Sequence, residues 1–182
     1  SASTPVNGHV LIVVAGGSYL VCWADSGVIY GQWVSPAGSL NGTAFAISGA
    51  TTQARDFNLA ASGTQVLVTW SGGGSYRPVV YGQLLTTSGL AGGTITIDDN
   101  GLASDNPIAI ASDGTDFLVV FPDEVGPVDS RIWQLVGRRV SAGGATYNVL
   151  STSNLPTGPF TNNAAATAAL VDSTNQSGVL LT

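Results

Sequence analysis

Gly17-Ser18-Tyr19-Leu20-Val21-Cys22-Trp23 runs on through Ala24-Asp25 to Ile29-Tyr30-Gly31-Gln32-Trp33-Val34-Ser35, and both parts of this stretch recur. The first returns as Gly63-Thr64-Gln65-Val66-Leu67-Val68-Thr69-Trp70, one residue longer in its turn, and as Gly114-Thr115-Asp116-Phe117-Leu118-Val119-Val120-Phe121. The second returns as Val80-Tyr81-Gly82-Gln83-Leu84-Leu85-Thr86 and as Leu135-Val136-Gly137-Arg138-Arg139-Val140-Ser141. The anchors Trp23, Trp70 and Phe121 fall about fifty residues apart, so two independent motifs recur in a fixed order, which is the signature of a tandem repeat.

A third motif closes each unit: Ala44-Phe45-Ala46-Ile47-Ser48, then Thr94-Ile95-Thr96-Ile97-Asp98, and more loosely Tyr147-Asn148-Val149-Leu150-Ser151. Apolar starters at 10–15, 57–61 and 107–111 precede the anchors. Each unit therefore reads as four short strands, a to d, rich in Val, Ile, Tyr and Phe and bounded by Gly, Asn, Asp and Ser. The a-to-b turns, Gly16-Gly17, Gly63-Thr64 and Asp113-Gly114, supply the positive φ that tight hairpins need. Strand b is apolar on both faces and is expected inside a layered structure, whereas strand c alternates and is expected to be half exposed. No segment has a sustained helical period.

The units read as 10–55, 56–104 and 105–163, with a half unit at 164–182, in one all-β repeat domain. Four-stranded units that cannot bury both faces alone point to propeller-type blades of antiparallel strands, about three and a half of them. The pattern Tyr-Leu-Val-x-Trp-x-Asp followed by Ile-Tyr-Gly-Gln-x-Val-Ser-x-x-Gly, best carried by residues 19–25 and 29–38, resembles the β-propeller repeats of large bacterial secreted and cell-surface proteins. The resemblance implies a scaffold and names no chemistry.

Residues 168–182 align with 107–121, so the fourth unit offers strands a and b alone. An unfinished blade leaves an apolar face and an unpaired edge, which another subunit can complete. The expected joint is Val179, Leu180 and Leu181 as the joining strand, with Val10, Ile12 and Val14 as the opposite blade face. The expected partner is the chain itself, as a ring or a filament. A fragment of a longer propeller is the plainer alternative.

Composition narrows the function classes. Only 9% of residues are charged, with eleven acids, five arginines and no lysine, for a net charge of -6. Phosphate binding needs clustered cations, so nucleic acid is not an expected partner. No apolar run approaches the ~20 residues that span a bilayer, so membrane insertion is not expected. Ser, Thr, Asn and Gly as polar filler suit an extracellular or cell-surface protein, and Ser1-Ala2-Ser3-Thr4-Pro5 suits a terminus left by signal-peptide removal.

For catalysis, the sole histidine, His9, lies near the terminus with no nucleophile and orienter spaced around it, so no enzyme and no cofactor is expected. Asp98-Asp99-Asn100-Gly101 and Asp113-Gly114-Thr115-Asp116 offer oxygen ligands of the kind calcium takes, but read equally as hairpin turns, and no metal site is assigned. Cys22, alone in the chain, reads as a small buried hydrophobe, with an intermolecular bridge or a reactive thiol as alternatives. Trp23 and Trp70 hold the anchor position and are expected in the core. Trp33 and Trp133 hold no repeated position and are the candidates for stacking on sugars, which leaves a glycan-binding module as the rival function.

Overall fold

The computed structural model describes residues 10–50, 53–73, 78–99, 108–125 and 132–152, together with the backbone of 168–169 and 180–181. It holds three four-stranded antiparallel sheets, each built from one contiguous stretch with its strands in sequence order. Sheet 1 comprises β1 (Val10–Ala15), β2 (Ser18–Asp25), β3 (Val28–Val34) and β4 (Leu40–Ala46). Sheet 2 comprises β5 (Arg55–Ser62), β6 (Gln65–Gly72), β7 (Val79–Thr86) and β8 (Gly89–Asp98). Sheet 3 comprises β9 (Ala109–Ser112), β10 (Phe117–Val125), β11 (Ile132–Val140) and β12 (Thr146–Thr152). Two short strands follow, β13 (Ala168–Ala169) and β14 (Leu180–Leu181), paired with each other. The first strands lie side by side in succession, β1 by β5, β5 by β9 and β9 by β13. The described sheets form no closed ring.

The register repeats from sheet to sheet. Val14 pairs with Tyr19, Ala61 with Val66 and Ser112 with Phe117. Side chains alternate across a strand, so each sheet has two distinct faces. The face bearing Trp23, Trp70 or Phe121 is called proximal below, and the other distal. The proximal face of sheet 2 (Phe57, Val66, Val68, Trp70, Leu85) shares one core with the distal face of sheet 1 (Leu20, Cys22, Ile29, Trp33, Ile47). The proximal face of sheet 3 (Phe117, Val119, Phe121, Val136, Val140) shares a second core with the distal face of sheet 2 (Leu67, Val80, Leu84, Ile97).

Polar contacts at the rims join the same neighbours. Gly16 N–H donates to Gly63 O at 3.1 Å, and Ala54 N–H to Gly27 O at 2.8 Å. Asn58 Nδ2 donates to Ile108 O at 3.0 Å, and Gln65 Nε2 to Ala142 O at 3.3 Å.

Strand b is buried as its composition predicts in sheet 2, where every residue of β6 after Gln65 is buried, whereas in β2 only Leu20 and Cys22 are. Strand c departs from expectation. β3 is more buried than β2, β7 is nearly as buried as β6, and the exposed strand is d, as in β4. The reason lies in the Gly-Gln pair of the second motif. A Cβ on Gly31 would sit 2.9 Å from Ile47 Cδ1, and one on Gly82 would sit 2.8 Å from Ile97 Cδ1. Glycine thus leaves the slot that the isoleucine beyond it fills.

The glutamine compensates for a break in pairing. Register shifts lie between Gly31 and Trp33 and between Gly82 and Leu84. At the first, Gln32 Nε2 donates to Trp33 O at 2.8 Å and Asn41 O at 3.1 Å. At the second, Gln83 Nε2 donates to Leu84 O at 3.0 Å and Gly92 O at 3.2 Å. Each amide supplies donors to carbonyls at an irregularity in the ladder, where an unpaired buried group would cost about 1–3 kcal/mol. The alternation of strand c is therefore real but encodes a buried amide and a slot, not a wet face.

Gly82→Ala should overpack this slot and cost about 1–3 kcal/mol in urea unfolding. Adding Ile97→Val, which removes the nearest methyl, should recover part of the loss; equal stability of Gly82→Ala and wild type would refute the slot.

Candidate functional site

The repeated register allows each position of sheet 1 to be compared with its two equivalents. Val10, Ile12 and Val14 line one side of β1 opposite Trp23, Val21 and Tyr19 of β2. Val34, Gln32 and Tyr30 of β3 extend the same proximal face. Its outer part is open: Val10 is 55% exposed, Ile12 62%, Val14 56% and Tyr19 42%. The equivalents of Tyr19, Val66 and Phe117, are 0% exposed, and those of Val10, Phe57 and Ile108, are 8% and 3%. At these two positions the face is covered twice and open once, while the equivalents of Ile12 and Val14, namely Leu59 and Ile110, and Ala61 and Ser112, are half-buried.

Trp23 and Tyr30 stack on this open face with centroids 6.0 Å apart, as Trp70 and Tyr81 do at 5.9 Å within the core. Both Trp23 and Tyr30 remain half-buried, against the expectation of a fully buried Trp23, because no sheet among the described residues lies beyond them. Trp70 is completely buried, as its anchor position predicts.

Val10, Ile12 and Val14 thus stand together on one surface. At the other end, Leu180 and Leu181 form β14 with Ala169 and Ala168 opposite, while Val179 lies outside the described residues. Tyr19 was not singled out by the sequence reading, although the register rule that assigns Val10, Ile12 and Val14 to this face includes it.

Trp33, expected at the surface, is 3% exposed and belongs to the core between sheets 1 and 2. Its pairing with Leu20 puts it on the distal face of sheet 1, beneath sheet 2, so its ring is closed to a sugar. Trp133 lies in β11, and its side chain falls outside the described residues, as does His9. Asp98, Asp113 and Asp116 of the two acidic turns are engaged by the protein. Asp98 receives Arg138 Nη2 at 2.9 Å, and Asp113 accepts the N–H groups of Thr115 and Asp116, each at 2.8 Å. The bonds from the Asp116 and Thr115 amides hold the Asp113 carboxyl below its ordinary value. Asp116 meets Arg139 Nε at 3.2 Å, and that guanidinium also lies 4.7 Å from the centre of the Tyr147 ring.

Arg138 has a role its sequence context hides. It replaces the bulge glutamine of the first two units and reaches sideways to Asp98 of sheet 2. The two side chains are 13% and 4% exposed, so this is a buried pair across a sheet-sheet boundary. The signal was available: Arg138 stands where Gln32 and Gln83 stand, and a charged group at a buried position requires a partner.

Cys22 lies in the core of sheets 1 and 2, where burial pushes its thiol up to about 12. At neutral pH it stays protonated, so it packs as a small hydrophobe and is neither nucleophilic nor placed for a bridge.

No family model matches the chain, and no curated protein matches it significantly.

Two outcomes follow from these positions. A thiol reagent at pH 8 should leave Cys22 unmodified in the native protein and label it fully in urea; rapid native labelling would contradict its burial. Arg138→Met, which strands the buried Asp98 carboxylate, should cost about 3–5 kcal/mol in unfolding free energy. Arg139→Met, at a half-exposed guanidinium, should cost less than about 1 kcal/mol.

Proposed function

We propose that this chain is a non-catalytic extracellular scaffold protein whose sheets are propeller-type blades, and that it assembles with further copies through the open proximal face of sheet 1. One observation supports this above all. Val10, Ile12, Val14 and Tyr19 keep the apolar character of a covered blade face, yet they are 42–62% exposed. Fully burying an aliphatic side chain of this size contributes about 1.5–3 kcal/mol. With about half of each side chain still to be buried, the four neighbours together offer about 3–6 kcal/mol towards a contact, which the rest of an interface must supplement against the cost of association.

The surrounding chemistry fits such a role. Charged residues make up 9% of the chain, so copies repel weakly on close approach. Asp98, Asp113, Asp116, Arg138 and Arg139 hold a turn or pair with one another, and no group of three or more metal-type ligands occurs among the described residues. On this reading the two-stranded β13–β14 element is the beginning of a fourth blade, and it contributes to the far end of each copy. The polar filler of Ser, Thr, Asn and Gly, with no lysine, suits an extracellular setting.

Light scattering with negative-stain microscopy on untagged protein tests the reading. Particles of two or more copies are expected, and Ile12→Asp should return them to single chains. Ile12 is exposed, so the substitution should leave the far-ultraviolet spectrum and unfolding midpoint nearly unchanged, whereas a carboxylate trapped in an apolar contact costs several kcal/mol. Wild-type protein that stays a single chain up to high micromolar concentration would refute the proposal.

A further inference from the structure

We infer that the open proximal face of sheet 1 is covered by the same face of a second copy. The two copies are related by a two-fold axis that lies between the sheets and runs across their strands, so assembly stops at two chains. The inference rests on the assembly reading above and specifies its partner and geometry.

The register shows how far the face extends. Val14 pairs with Tyr19, Tyr19 with Val34 and Val34 with Leu40, so one apolar row crosses all four strands near the a-to-b turn. Leu40, single on its own strand, ends that row at 69% exposure. Towards the opposite rim the same pairings join Val10, Trp23, Tyr30 and Ala46 in a second row. Ile12, Val21 and Gln32 lie between the two. Gln32 is itself buried, its amide committed to Trp33 O and Asn41 O. The three rows carry no charged side chain, and Asp25 stands beyond them at the b-to-c turn.

This chemistry selects the partner. The chain carries a net charge of -6, so two copies repel wherever their acids approach, and this neutral face is where they can approach closely. The other large hydrophobic side chains exposed among the described residues are Leu90, Tyr147 and Val149, which form no surface of comparable extent. Within the described residues the face therefore has no apolar complement but itself. Setting two such faces together removes twice the apolar area that a contact with a polar surface removes. A self-complementary contact of this kind closes on two chains.

The order of side chains fixes the orientation. Along β1, Val10, Ile12 and Val14 read the same in both directions, at 55%, 62% and 56% exposure. An axis across the strands at Ile12 lays β1 antiparallel on the partner's β1, with Ile12 on the partner's Ile12 and Val10 on the partner's Val14. It also sets Leu40 over the partner's Ala46, large on small, and Tyr19 over the partner's Trp23, aromatic on aromatic. An axis along the strands would lay β1 on β4 instead, and Ile12 would then meet the bulged stretch at Gly42 and Thr43, which is not apolar. Four strands about 4.8 Å apart and about seven residues long give a face of roughly 450 Å² per copy, near the lower limit for a specific interface. The dimer is accordingly a reversible one.

Sedimentation and cross-linking on the full chain test this geometry. Wild type should reach twice the chain mass at high micromolar concentration and grow no further. Cys22 is buried, so single cysteines placed on the face report proximity through a short bismaleimide. Ile12→Cys should cross-link to itself. Val10→Cys and Val14→Cys, both close to wild type in size, should give several-fold more cross-linked pairs when mixed than either gives alone. Equal yields alone and mixed would overturn the two-fold arrangement and leave the assembly reading standing, as would assemblies larger than two chains. Wild type that remains a single chain would overturn both.

Discussion

Strand b is apolar on both faces, and this is the constraint from which the architecture follows. A single four-stranded sheet covers neither face of its own, so Leu20 and Cys22 on one side and Val66, Val68 and Trp70 on the other can leave water only when sheets stack. Stacking is then repeated with the same register, and every sheet inside the stack is covered twice. Among the described sheets the stack leaves one face open, the proximal face of sheet 1. In sheet 1 the terminal face keeps Val10, Ile12 and Val14 where an isolated surface would be expected to carry polar groups.

Within a sheet, the second motif reconciles a break in pairing with a dry interior. The ladder slips where strand d leaves strand c, and the bulge residue is a glutamine whose amide reaches carbonyls on both strands. In the third unit the same position holds Arg138, and the group is directed outward to Asp98 of the neighbouring sheet instead. The substitution exchanges a connection within a sheet for one between sheets. A buried ion pair is seldom a large net gain over apolar packing, because both charges must be desolvated. Its effect is to fix how sheet 3 sits on sheet 2, since a one-residue slip would strand two charges.

Much of this was legible in the sequence. Two motifs recurring in order locate three sheets and their b and c strands, and the glycine in each a-to-b turn locates the hairpins. The face shared by Val10, Ile12 and Val14 followed from the period of two. The errors came from residues whose partners are distant in sequence. Trp33 holds no repeated aromatic position, but its register opposite Leu20 puts it on the same face as Leu84 of the next unit, an equivalence that chemical identity conceals. The alternation of strand c looks like exposure because glycine and glutamine are common on surfaces, and only the packing of Ile47 and Ile97 shows why they are buried. The Arg138–Asp98 pair crosses between units, and nothing local to either residue names the other.

Association through a face, and not through an edge, is also favoured by the way the outer strands are built. A sheet edge is a template for strand addition when it is flat, regular and long. β4 and β8 are neither flat nor regular: each slips register against its neighbour, and Gly42 and Gly92 sit at positive φ of 72° and 75° at the irregularity. Bulges of this kind raise the local twist and interrupt the row of free donors and acceptors that another strand would need. The exposed apolar side chains on these strands, Leu40 and Leu90, are single and separated by polar or small residues. The open face of sheet 1 is the reverse case, with four apolar side chains contiguous on two paired strands. Where a protein protects its edges and leaves one face apolar, stacking is the mode of contact that its backbone permits.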